Sequence, residues 1–163
     1  MKYARILLSF LALSACIAAP AAPQDEGASQ EQVEAARALV REGARQIVRE
    51  ELVLTAEEKK KFWPLYDKYR AEILVVEDAY VDLLRSFLQH YYGYSLTESD
   101  AKEYTDMYFD IQGDRLKIRK KYLRRFRKIL PHITVMRLYQ IENKIRAEVD
   151  AALAVTVPLA DPS

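Results

Sequence analysis

Apolar and aromatic side chains recur along most of this chain at alternating steps of three and four. The clearest run is Phe62, Tyr66, Tyr69, Ile73, Val76, Tyr80, Leu83 and Phe87, the seven-residue repeat of a helix that buries one seam. Immediately before it, Leu54-Thr55-Ala56-Glu57-Glu58 offers Thr55 as a capping hydroxyl and Glu58 as the carboxylate that reaches back to the Thr55 amide. Acids in the first turn also suit the positive end of the helix dipole. The pattern predicts a helix from Thr55 to about Gln89. Pro64 lies inside it, where a missing amide and crowding of the Lys60 carbonyl predict a bend and not a stop.

The same grammar repeats after the turn residues His90-Tyr91-Tyr92-Gly93-Tyr94-Ser95. Leu96-Thr97-Glu98-Ser99-Asp100 opens a second seam of Ala101, Tyr104, Tyr108, Ile111, Ile118, Tyr122, Phe126 and Ile129, with Arg115 as its one missing apolar position. Pro131 closes it, and Thr134 is the expected cap of a last helix that carries Leu138, Ile141, Ile145, Val149 and Leu153 before Pro158. Upstream, Ser29 with Gln32 predicts a first helix bearing Val33, Ala36, Val40, Ala44 and Ile47, with Arg37, Arg41, Arg45 and Arg49 along another face. Glu34, Glu42 and Glu50 lie within pairing distance of those arginines, so the stripe reads as a solvated face before it reads as a binding one.

Four helices follow, two of them about 35 residues or about 50 Å long. A compact sphere of this chain would be narrower than that. The expected fold is all-α, an elongated long helical hairpin with two additional shorter helices. A single such layer leaves apolar side chains uncovered, which points to a homodimer or to a surface that binds other proteins.

The N-terminus belongs to a different class of sequence. Lys2 and Arg5 precede an apolar run from Ile6 to Ala15 and then the small-residue stretch Ala18-Ala19-Pro20-Ala21-Ala22, the layout of a secretory signal. Residues 1–21 are assigned to it, 22–28 to a flexible tether, 29–157 to a single all-helical domain and 158–163 to a tail. Leu13-Ser14-Ala15-Cys16 has the form of a bacterial lipobox, in which Cys16 would be lipidated; ordinary cleavage after Ala21 is the alternative. The expected location is therefore periplasmic or exported, with membrane contact only through such an anchor.

Composition removes several classes of function. Four glycines, one cysteine and two histidines leave no disulfide framework, no cysteine-rich zinc fold and little material for phosphate-cradling loops. His90 and His132 fall at opposite ends of the hairpin helices and in no ligand motif, and no serine has a paired histidine pattern. Asp106, Asp110 and Asp114 stack at four-residue spacing without a calcium loop around them, so they read as solvated carboxylates. No enzyme, metal or cofactor is expected.

The net charge of +1 hides a strong asymmetry. From Glu72 to Asp114 there are ten acids against Arg85 and Lys102, whereas from Arg115 to Lys128 there are nine bases and no acid. With the turn near Gly93, the basic stretch should lie beside Lys59, Lys60, Lys61, Lys68 and Arg70, giving a basic end and an acidic tip. Lys117, Lys120, Lys121, Arg124, Arg127 and Lys128 are the candidate partner-binding residues, against the alternative of a solvated face answered by other acids. Tyr91, Tyr92 and Tyr94 are a candidate contact tip, since tyrosine anchors interfaces well; packing over the hairpin end would equally account for them. Nucleic acid is not an expected partner, because Tyr122 and Phe126 fall on the seam and an export signal removes the chain from it.

The export signal, the helical body and the paired starts Leu54-Thr55-x-x-Glu58 and Leu96-Thr97-x-x-Asp100 together resemble the Spy/CpxP family of periplasmic stress proteins, which is named for Leu-Thr-x-x-Gln motifs. Glu58 and Asp100 stand where that family has Gln. Phe62 to Tyr69 and Leu130 through Glu142 are also similar to segments of exported proteins grouped with it. The resemblance spans about residues 50 to 155. It implies a small dimer that binds unfolded or partly folded exported proteins without ATP, or that restrains an envelope sensor protein. The other reading is a structural or adaptor coiled-coil protein with one dedicated partner.

Overall fold

A computed structural model describes residues 42–160, which are all-α: α1 over 42–51, α2 Ala56–Tyr92, α3 Glu98–Phe126 and α4 His132–Thr156. The expected signal and tether, Cys16, the expected Ser29 start and the positions Val33, Ala36, Arg37, Val40 and Arg41 lie outside the described residues. No described helix is long and apolar enough to cross a membrane.

The described chain forms two compact units. One combines the residues up to Val53 with Arg137–Asp150. Its buried apolar side chains are Ala44, Ile47, Val48 and Leu52 from the first segment and Leu138 and Ile141 from the second. Arg137 Nε donates to the Glu51 carbonyl at 2.7 Å, and its guanidinium lies 3.5 Å from the Glu51 carboxylate. A carbonyl that the end of α1 leaves open thus acquires a cationic partner.

The other unit combines Leu54–Met136 with the residues from Ala151 onward and contains α2 and α3. Both helices begin with a reciprocal capping box. Thr55 Oγ1 accepts the Glu58 amide at 3.2 Å while Glu58 Oε2 accepts the Thr55 amide at 2.8 Å. Asp100 and Thr97 repeat the exchange at 3.2 and 2.9 Å, and the Thr97 hydroxyl also donates to Asp100 at 2.6 Å. The acids at these positions therefore do the local work that any hydrogen-bonding side chain three residues on can do.

Ring contacts fix how α2 and α3 pair. Phe62 lies 5.7 Å from Phe126, Tyr69 5.4 Å from Tyr122, Tyr80 6.2 Å from Tyr108 and Phe87 6.5 Å from Tyr104. Numbers rise on one helix as they fall on the other, so the two pack antiparallel. Phe62, Tyr66, Tyr69, Ile73, Val76 and Leu83 of the α2 seam are buried, as are Ile111, Tyr122 and Phe126 of the α3 seam. Arg115, the polar position of that seam, is also buried, with Nη1 donating to Gln112 Oε1 at 2.8 Å.

Three boundaries differ from expectation. α2 continues through Pro64 to Tyr92, three residues beyond Gln89, and is closed by Gly93. α3 stops at Phe126, well before Pro131, because the amides of Lys128 and Ile129 turn back to the carbonyls of Arg125 and Phe126 in three-residue steps. Leu130, preceding a proline, is steered out of the helical region. Thr134 does not cap α4. Pro131 takes that place at φ −58°, where its missing amide costs nothing, and Thr134 sits inside the first turn.

Two glycines should respond oppositely to alanine. A Cβ on Gly93 would meet the Gln89 carbonyl oxygen at 2.9 Å, whereas one on Gly113, in mid-α3, would meet nothing within 4 Å. Gly113→Ala is expected to stabilise the fold by about 0.5–1 kcal/mol through helix propensity. Gly93→Ala is expected to cost about 1 kcal/mol or more at the strained contact. Urea denaturation of the two variants measures both.

Candidate protein-binding surface

Antiparallel pairing brings the start of α2 beside the end of α3, and with it two sets of bases. Lys59, Lys61 and Lys68 on α2, Lys117, Lys120 and Arg124 on α3, and Arg127 and Lys128 in the turn that follows it are exposed. Among the described residues Lys120, Arg124, Arg127 and Lys128 form no ion pair, and Lys117 reaches only Asp114, at 3.8 Å. A few residues further on, α4 begins with Ile133 and Met136 exposed by 68% and 52%. Free cations and uncovered apolar side chains therefore share this part of the unit.

Lys121 does not belong to the free set. Its Nζ donates to both Glu72 oxygens at 2.6 and 2.7 Å, and the Tyr122 hydroxyl donates to Glu72 Oε1 at 2.8 Å. These bonds, with Lys121 and Arg125 as nearby cations, hold the Glu72 carboxyl below the ordinary glutamate range. Burial and the hydrogen bond to Glu72 push the Tyr122 phenol up. Arg125 lies 5.0 Å from the Tyr122 ring centroid, and Lys121 5.3 Å, so both bases lean on an aromatic face. Tyr122 and Phe126 are 1% and 0% exposed, which makes them core and removes them from any binding face.

At the far end the three tip tyrosines separate. Tyr91 is half-buried against Phe87 at 5.8 Å, whereas Tyr92 and Tyr94 are 67% and 99% exposed. Tyr94 also has φ 52°, the left-handed region that non-glycine residues seldom occupy. His90 shares a 2.8 Å hydrogen bond with the Tyr104 hydroxyl and lies 3.8 Å from Asp100. Burial, then the charges of Asp100 and Glu103, push that phenol up. The hydrogen bonds from Thr97 lower the half-buried Asp100 carboxyl. His132 sits at the start of α4, and among the described residues no three His, Cys, Asp or Glu side chains gather as a metal centre requires.

Leu54 is buried and Leu96 half-buried behind their capping threonines, so the Leu-Thr-x-x-acid motifs act as helix starts. The pattern of the chain missed two contributors to this surface. Ile133 and Met136 lie outside the predicted stripe of α4, and only the folded exposure marks them. Comparison of the chain with protein-family models, curated proteins and solved structures gives no match.

Proposed function

We propose that this is an exported, ATP-independent chaperone-like protein or envelope-stress modulator that binds other proteins through the basic, partly apolar end of the α2–α3 pair. One observation carries the reading: Lys59, Lys61 and Lys68 of α2, Lys120 and Arg124 of α3, and Arg127 and Lys128 of the turn after it stand unpaired in the unit that also exposes Ile133 and Met136. Clustered cations draw acidic or partly unfolded chains from a distance, and apolar contact then retains them. Periplasmic location, with or without a lipid on Cys16, rests on the leader and on the resemblance to Spy/CpxP proteins.

The test is suppression of client aggregation without nucleotide, at near-stoichiometric ratios. Lys120→Glu, Arg124→Glu and Arg127→Glu together are expected to reduce suppression several-fold, most at low salt. Lys121 should be left intact, because reversing it would set a carboxylate against Glu72 and confound binding with stability. Unchanged aggregation kinetics across several clients would overturn the reading. The exposed Tyr92 and Tyr94 favour a second one, an adaptor with a dedicated partner, for which recovery of one stable complex and no general suppression is the signature.

A further inference from the structure

The turn from α3 into α4 joins two kinds of exposed side chain. Lys120, Arg124 and Arg127 follow one another at steps of four and three, the spacing of one helix face, and Lys128 comes next; all four are exposed. Ile133 and Met136 then open α4 a turn apart, 68% and 52% exposed, while Val135 between them is buried. The backbone from Arg127 to Ile133 could reach no further than about 20 Å even if fully extended. The bases and the apolar side chains are therefore neighbours within one compact unit.

No acid of the turn answers this set. Between Asp114 and Glu142 the chain has none, not even in the first turn of α4, where the helix dipole favours them. The acids that α2 brings alongside are engaged: Glu57 with Lys60 at 3.0 Å, Glu58 with the Thr55 amide at 2.8 Å and Glu72 with Lys121 at 2.6 Å, and Asp67 also has a partner. Lys59, Lys61 and Lys68 add further exposed cations from that side. A dedicated folded partner would need fixed acids in register with fixed bases, and about 20–30 residues of matched surface. Two apolar side chains beside a field of one sign supply neither. A bilayer of anionic lipid needs no register, because its headgroups move to wherever the cations lie, and it accepts apolar side chains beneath those headgroups.

We propose that the turn between α3 and α4 docks this protein on an anionic lipid surface, with Lys120, Arg124, Arg127 and Lys128 on the headgroups and Ile133 and Met136 inserted beneath them. The contact is one of the folded body and needs no lipid on Cys16. It goes beyond client binding and does not rest on it, although acidic clients and lipid would compete for the same cations. Attraction between clustered bases and headgroups is screened by salt, so docking is expected to weaken steeply as ionic strength rises.

The test is run on the full chain with no client present. Cys16 is the single cysteine, so Cys16→Ser with Ile133→Cys leaves one labelling site. A polarity-sensitive dye there is expected to shift to the blue on vesicles of equal phosphatidylglycerol and phosphatidylcholine, and to stay unshifted on phosphatidylcholine alone. The same dye at Tyr94→Cys, at the far end of α2, is expected to stay in water on both, so an apolar leader that binds lipid cannot imitate the result. Lys120→Gln, Arg124→Gln and Arg127→Gln together are expected to weaken binding to the anionic vesicles at least about tenfold, with helical circular dichroism unchanged. A dye at position 133 that stays in water, an equal shift at position 94, an equal shift on phosphatidylcholine alone, or full binding after the three substitutions would overturn the proposal. Binding of an acidic unfolded protein without any such shift would do the same and leave the client reading standing.

Discussion

Phe126→Ala should cost about 3–5 kcal/mol, a large share of the 5–15 kcal/mol that ordinarily separates folded from unfolded domains. Phe126 has no exposed surface and packs on Phe62 at 5.7 Å, Tyr69 at 5.9 Å and Tyr122 at 6.2 Å. These rings come from both helices, so the truncation opens a void that neither backbone can close without displacing the others. The capping boxes lie outside the contact and would survive, which makes the loss one of packing and not of helix initiation. A fall in melting temperature of 10 °C or more is the expected reading. Leu116→Ala, on the exposed face, is the control, with a change of about 0.5 kcal/mol or less. Equal losses at the two positions would contradict the burial on which the α2–α3 pairing is argued.

The pairing was legible because several local signals agree along α2 and α3. A seven-residue aromatic seam, a threonine three residues before an acid and a glycine after the last turn each point to the same helix. Arg115 breaks that seam in sequence but not in space, since its long side chain lies in the buried row with one nitrogen on Gln112. Val48 and Leu52 are buried but fall just beyond the stripe of Val33, Ala36, Val40, Ala44 and Ile47, which ends before the helix does. Arg137 and Glu51 are 86 residues apart, and no periodicity announces a side chain reaching that far to a helix end. The basic stretch was visible as composition, whereas its division was not: Lys120 is free and Lys121 is engaged only because Glu72 projects from the other helix.

Glu72 is where that division becomes measurable. Glu72→Ala removes the acceptor of the Tyr122 hydroxyl, on a side chain only 1% exposed, together with the partner of Lys121. An acceptor lost from a hydroxyl at the edge of the core costs about 1–3 kcal/mol. The ion pair adds little, since both charged side chains are more than a third exposed and solvent screens them. Glu72→Gln keeps an acceptor without the charge and should recover most of the loss. The pH dependence follows from the lowered Glu72 pKa. A carboxyl with a lower pKa in the folded state stabilises fully above its unfolded value, and that stabilisation disappears as pH falls through the folded one. Unfolding free energies of the unaltered chain and Glu72→Ala should therefore differ most near neutrality and by less in acid, where protonated Glu72, like Gln, still offers the Tyr122 hydroxyl an acceptor. Salt should narrow the gap only slightly, because the buried hydroxyl carries more of it than the exposed ammonium does. Acid profiles that run parallel would mean that the Glu72 charge contributes nothing to the fold.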